Sequence, residues 1–241
     1  MNGINAKQTK FMIIFLLTLT FITGCMYPDE QMREEPTNLL ADIQSVQQAV
    51  DSYVVDNQAL PTLETSDSKQ VQAYQSLDLR ELYPRYLVEL PKSSFEQGGT
   101  LIYAIINIEG KQTVKVIDLR YLDQVKEVQT EVDQYRADNG KIPSGEKLAE
   151  GIFVLDTSLV RLSSSTIQSV FSNRDLMYLV DATGKVAVDY LPDIVAYLES
   201  NPKDRIDGQD LSIVLAKHSF YAPVANQAYF LINDQIQVQM K

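Results

Sequence analysis

The sequence predicts an α+β protein built from three repeated helix-loop-β-hairpin units with antiparallel sheet. Two near-copies of one segment and three β-branched hairpin patterns carry this expectation. Residues 41–61 (ADIQSVQQAVDSYVVDNQALP) superpose on residues 123–143 (DQVKEVQTEVDQYRADNGKIP) at a constant offset of 82. That offset aligns Ile43 with Val125, Val46 with Val128, Val50 with Val132, Tyr53 with Tyr135, Asn57 with Asn139 and Pro61 with Pro143. A third, eroded copy at residues 190–201 (YLPDIVAYLESN) keeps the spacing of Tyr197 and Asn201. Fixed-period self-similarity is the signature of a repeated supersecondary unit.

Within the first copy Leu39, Ile43, Val46, Val50 and Tyr53 step by three or four, which draws one apolar stripe on a helix. Asn57 and Asn139-Gly140 suit the left-handed conformation that ends a helix, and Pro61 and Pro143 prevent its resumption. Hairpins should follow. Residues 100–119 place two β-branched runs around Glu109-Gly110-Lys111, residues 176–189 surround Gly184-Lys185, and residues 228–239 surround Asn233-Asp234. Tyr103, Tyr178 and Tyr229 hold corresponding places in the first strands. The expected units are 38–120, 121–189 and a shorter 190–241. No Pro/Gly/Ser linker interrupts Leu119-Arg120-Tyr121, so continuous packing is expected.

Ahead of these units, Lys7 and Lys10 precede an uncharged 12-residue run, Phe11 to Ile22. The pattern is that of a secretory signal, and the run is well short of the roughly 20 apolar residues of a spanning helix. It ends in Ile22-Thr23-Gly24-Cys25, which resembles the lipobox of bacterial lipoproteins. The resemblance implies removal of residues 1–24 as a signal peptide and a diacylglycerol on Cys25, the only Cys. Residues 25–37 then read as a solvated tether, with Pro28, Pro36 and a run of mostly acidic charge.

The segment Tyr135-Arg136-Ala137-Asp138-Asn139-Gly140-Lys141-Ile142-Pro143 resembles the helix end of type II secretion pseudopilins and related type IV pilin-like proteins. That resemblance implies a long helix running through a turn into an antiparallel sheet. No prepilin-like cleavage site leads into a helix, so only the local fold is carried over.

Composition narrows the chemistry. A formal charge of -11 and a pI near 4.6 offer no basic face to nucleic acid. One Cys excludes an internal disulfide and a thiolate zinc cluster, and one His excludes any site needing two imidazoles. His218 and the Ser163-Ser164-Ser165 run supply a hydrolase inventory without a Gly-x-Ser-x-Gly elbow; a cap or surface role for His218 and a turn at Ser163–Thr166 are the simpler readings. The acidic stretch 199–210 raises calcium, but Lys203 and Gly208 fall at the wrong positions of a standard loop, and Asp207 or Asp210 capping a helix through Leu215 accounts for it. Gly98-Gly99 lacks the Lys-Ser/Thr of a phosphate cradle and fits a loop before a strand.

Tyr53, Tyr103, Tyr135, Tyr178 and Tyr197 recur at repeat positions and read as core. The less periodic Tyr83 and Tyr86 are the better candidates for a partner surface. The expectation is a non-enzymatic, outward-facing, membrane-anchored lipoprotein that binds or organises another extracytoplasmic component, an unidentified protein or small solute, with no cofactor or metal. The alternative is the solute-binding lipoprotein of an ABC-type transporter, which needs a concave polar site for a small solute.

Overall fold

Helix α1 (Pro36–Asn57) begins inside the stretch read as a tether. Pro36 opens its first turn, where a missing N–H costs nothing and a fixed φ is already helical. The computed structural model describes residues 36–63, 74–224 and 227–240; the signal segment 1–24, Cys25 and the tether through residue 35 lie outside the described residues. The α1 stripe of Leu39, Ile43, Val46, Ala49 and Val50 is buried. It covers an antiparallel sheet of β1 (Gln75–Ser76), β2 (Leu101–Ile108) and β3 (Lys111–Asp118), in that order, with the short helix α2 (Leu79–Leu82) following β1.

Asp118 ends β3 and caps helix α3 (Leu119–Asn139), accepting from the Arg120 backbone N–H at 2.9 Å. The buried face of α3 (Tyr121, Val128, Val132) packs on a second antiparallel sheet of order β4-β5-β8-β9, formed by β4 (Ser144–Ala149), β5 (Ile152–Leu155), β8 (Tyr178–Asp181) and β9 (Val186–Val188). A two-stranded ribbon, β6 (Ile167–Gln168) with β7 (Asp175–Leu176), lies in the connection. Helix α4 (Leu191–Ser200), a 3-10 turn and helix α5 (Ser212–Lys217) lead to the final hairpin, β10 (Gln227–Ile232) with β11 (Gln235–Met240). The described residues thus form a mixed α+β body with five α-helices and several antiparallel sheets.

The same fastenings recur along the chain. Gln47 on α1 donates to Gln112 O (3.2 Å) and accepts from Val114 N (2.7 Å) of β3. Gln129 on α3 donates to Gly184 O (2.9 Å) and accepts from Val186 N (2.8 Å) beside β9. Each carboxamide satisfies one donor and one acceptor of the strand below it, locking helix to sheet in a single register. At the helix ends Asn57, Asn139 and Asn201 each donate back to the carbonyl of Tyr53, Tyr135 and Tyr197, at 2.9, 2.9 and 3.0 Å. In the hairpins Tyr103 faces Val116, Tyr178 faces Val188 and Tyr229 faces Val238.

Several expectations change in detail. The left-handed residue ending α1 is Gln58 (φ 55°), because the helix runs through Asn57, just as Gly140 (φ 69°) follows Asn139 at the end of α3. Glu109-Gly110 and Asn233-Asp234 form two-residue turns with both residues at positive φ, as a right-twisted hairpin prefers. The second hairpin turns more widely: Gly184 N donates to Asp181 O and Asp181 N donates to Lys185 O, with only Gly184 left-handed. The β4-β5 hairpin was not expected, since Ser144-Gly145-Glu146-Lys147-Leu148-Ala149 shows no β-branched alternation. β4 is largely exposed, and two irregularities break its register with β5. Among the repeat tyrosines, Tyr103 and Tyr178 are buried while Tyr53, Tyr135 and Tyr197 are half-buried on the helix flanks.

Residues 219–224 fasten the C-terminal part to the first sheet. Val116 N donates to Phe220 O and Ala222 N donates to Val116 O, both at 2.9 Å, which gives β3 a short parallel neighbour on its outer edge. The buried Lys115 donates its Nζ to Ser219 O at 2.5 Å, and burial lowers its pKa. Val224 packs against both the cluster under the first sheet and the large cluster under the second. Gln227 donates to Val188 O of β9.

Candidate functional site

A groove of about 810 Å³ opens between the turns of the second sheet and the final hairpin. One wall is β11 from Gln235 to Gln239; the other is the 148–152 turn with the 181–183 turn. Its floor is reached by Asp189, directly after β9, and Tyr229, on β10. Both are placed by burial, Asp189 being 6 % and Tyr229 1 % exposed.

The floor is a chain of donors and acceptors. Tyr190 N donates to Tyr229 Oη (2.9 Å), and Tyr229 Oη donates to Asp189 Oδ1 (3.0 Å), which also accepts from Leu191 N (3.0 Å). Gln227 Nε2 adds a longer bond to Tyr229 Oη at 3.4 Å. Burial raises the Asp189 carboxyl above its ordinary value, opposed by the Leu191 N–H and the Tyr229 hydroxyl. Burial, and next the Asp189 charge, push the Tyr229 phenol above its ordinary range, so it keeps its proton and stays a donor.

Glu150 and Asp181 also line the groove, and among the described residues no Lys, Arg or His does. Glu150 sits on the rim in an ion pair with Lys147 (2.7 Å). Asp181 Oδ1 is committed to its turn, accepting from Thr183 N, Thr183 Oγ1 and Lys185 N. The groove therefore presents acceptors and carboxamides to whatever enters it, and suits donors and cations better than anions.

A second buried carboxylate, Asp193 on α4, takes the hydroxyl of Ser169 at 2.5 Å and that of Ser172. It pins the 169–172 turn to α4 and does not line the groove. The hydroxyls of Tyr121 and Tyr190 are buried beside one another, and burial raises both phenols above their ordinary range.

The residues singled out from sequence are dispersed. Cys25 lies outside the described residues. Tyr83 is 49 % exposed, but Tyr86 is half-buried against the first core. The Tyr86 ring meets Tyr53 edge-on at 5.4 Å, Arg85 lies over it, and its hydroxyl donates to Asp56 Oδ2 at 3.0 Å. Tyr86 thus also serves to close the end of α1, and neither tyrosine lines the groove.

His218 follows α5, with its ring 4.9 Å from that of Tyr197 and Nε2 3.8 Å from Asp204 Oδ2. Tyr197 Oη donates to the same Asp204 oxygen at 2.5 Å; burial first and this bond second raise its pKa to about 12. Ser163 Oγ donates to Glu127 on α3, and Ser164 Oγ to Thr166 O. In the 199–210 stretch Asp210, not Asp207, caps α5 through the Ser212 N–H (3.0 Å). Gly98 is left-handed at the end of a 3-10 turn before β2, and a Cβ on Gly99 would fall 2.1 Å from Ser93 O. Among the described residues no group of three or more His, Cys, Asp or Glu side chains is placed to hold a metal ion, and no helix is long and apolar enough to cross a membrane.

Sequence reasoning missed Asp189 and Tyr229 as a pair. The available signal was Tyr229 at the third hairpin position corresponding to Tyr103 and Tyr178; nothing local marked Asp189, which 40 residues separate from its partner. Comparison with curated proteins and with solved structures finds no match for the chain. Residues 40–118, which run from within α1 to the last residue of β3, match the YphF family N-terminal domain.

Proposed function

We propose that this chain is an outward-facing lipoprotein, anchored to the membrane through a diacylglycerol on Cys25, whose body binds or organises another extracytoplasmic protein without catalysing a reaction. The location rests on Ile22-Thr23-Gly24-Cys25 after a short apolar run. Two acyl chains give a stable anchor where one gives marginal attachment. The groove carries the binding half: a concave surface with a fixed polar floor and acceptors on its walls.

The body is read as three copies of one helix-loop-hairpin module, the third abbreviated. Supporting this reading are the paired Gln47 and Gln129 clamps, the three Asn-to-Tyr helix-end bonds and the three Tyr-Val strand pairs. The end of the family match at Asp118 agrees with a unit boundary there. The pilin-like likeness stays local to the end of α3 and its turn, and no filament is proposed.

The groove's volume also lies in the range of small-molecule sites, so a solute-binding component of an ABC-type transporter is the second reading. Fractionation of Cys25→Ala cells tests the anchor: the variant should leave the membrane fraction, and unchanged membrane retention with residues 1–24 intact would show a signal anchor instead. Membrane retention with a lipid-modified residue elsewhere sinks it. Crosslinking on intact cells, with thermal-shift screening of solutes in parallel, separates the two roles. A reproducible protein partner supports scaffolding; a saturable solute shift without one transfers the assignment to transport.

A further inference from the structure

We propose that the groove beside β11 docks an extended segment of the partner polypeptide, with one Lys or Arg side chain of that segment seated on Asp189. The inference rests on the binding role proposed above and adds the partner's chemistry. Charge supports it first, since Asp181, Asp189 and Glu150 line the groove with no basic residue among the described lining. Asp189 is the distinctive one. Its Oδ1 accepts both the Leu191 N–H and the Tyr229 hydroxyl, whereas Oδ2 accepts none of the hydrogen bonds found among the described residues. No cationic side chain of the described residues lies within 4.0 Å of it. A nearly buried carboxylate without a counter-charge is costly, and an arriving ammonium or guanidinium relieves that cost while gaining from the low local dielectric.

Shape supports the rest. The groove follows β11 from Gln235 to Gln239, about 14 Å of strand, which exceeds the reach of a single amino acid or simple amine. β11 pairs with β10 and with no other strand among the described residues. Strand β11 also lies close against β4, so the groove receives an extended chain between two flanking segments and holds it by their side chains. Gln235, Gln237 and Gln239 share the exposed face of β11 and offer carboxamides to the incoming backbone.

The test pans a random pentapeptide library against the full chain in detergent micelles, with Asp189→Asn and Gln237→Lys variants in parallel. Selected peptides should carry Lys or Arg at one fixed position, and replacing that residue with citrulline or norleucine should weaken binding at least about tenfold. Both variants should lose the basic preference. Gln237→Lys leaves the Asp189–Tyr229 contacts untouched, so it stays decisive even if Asp189→Asn alters stability. Selected peptides without a basic position, or undiminished affinity in Gln237→Lys, overturn the proposal. Spermidine binding as tightly as the best peptide also overturns it, in favour of a small cation. Intact-cell crosslinking of Gln237→Lys distinguishes this inference from the broader one: a partner still captured sinks the groove and spares the scaffold, whereas a partner lost with the groove supports both.

Discussion

At the scale of single residues, the energetics concentrate on polar side chains that are buried for a reason. Burial holds the Asp189 carboxyl above the 3.8 of a free aspartate. A carboxyl with a higher pKa folded than unfolded takes up its proton first in the folded chain. Its contribution to stability is therefore complete below 3.8 and is lost as pH rises through the raised folded value. Asp189→Asn keeps an acceptor for Leu191 N and Tyr229 Oη while removing the charge. Relative to the parent, the variant should gain most at neutral pH, and urea midpoints should converge as pH falls toward about 4. A midpoint difference that does not change with pH would show that Asp189 carries no such strain.

At the scale of elements, the fastening of helix to strand is the recurring device. Gln129→Ala removes the bonds to Gly184 O and from Val186 N, and should cost about 1–2 kcal/mol. Gln47→Ala should cost a similar amount through Gln112 and Val114. Denaturant titration of both variants checks this; a loss in one and none in the other would mean that the two helices are held by different means. Helices α1 and α3 and the hairpins were legible in the sequence because Ile43, Val46 and Val50, and the runs around Glu109-Gly110 and Asn233-Asp234, announce their period locally, whereas the short helix α2 was not expected. Strand β4 was not, because Gly145 and Lys147 carry no period of two and its pairing is borrowed from β5. The groove was equally hidden: Asp189 and Gln237 reach the same cavity only after the last hairpin folds across the second sheet.

At the scale of the whole molecule, shared contacts argue for one cooperative unit in place of three independent ones. Val224 belongs to two clusters, and Phe220 and Ala222 complete a sheet begun at residue 75. The chain contains no Trp, so 3-fluorotyrosine resonances of Tyr103 and Tyr178, one in each of the two main cores, are suitable reporters. Both should disappear at the same urea concentration and coincide with loss of far-UV circular dichroism. Two separated midpoints would show modules that unfold one by one.

The contact between β3 and residues 220–222 also has a history in time. Lys115 reaches Ser219 across 104 residues, so the neighbour of β3 is made long after β3 itself. A nascent chain that emerges N-terminus first holds a sheet with one raw border until residues 220–222 arrive. Such a border can recruit a strand from another molecule. Synthesis therefore exposes this protein to that hazard in the interval between residue 118 and residue 222, and the sheet that is started first is finished only after the second sheet is complete.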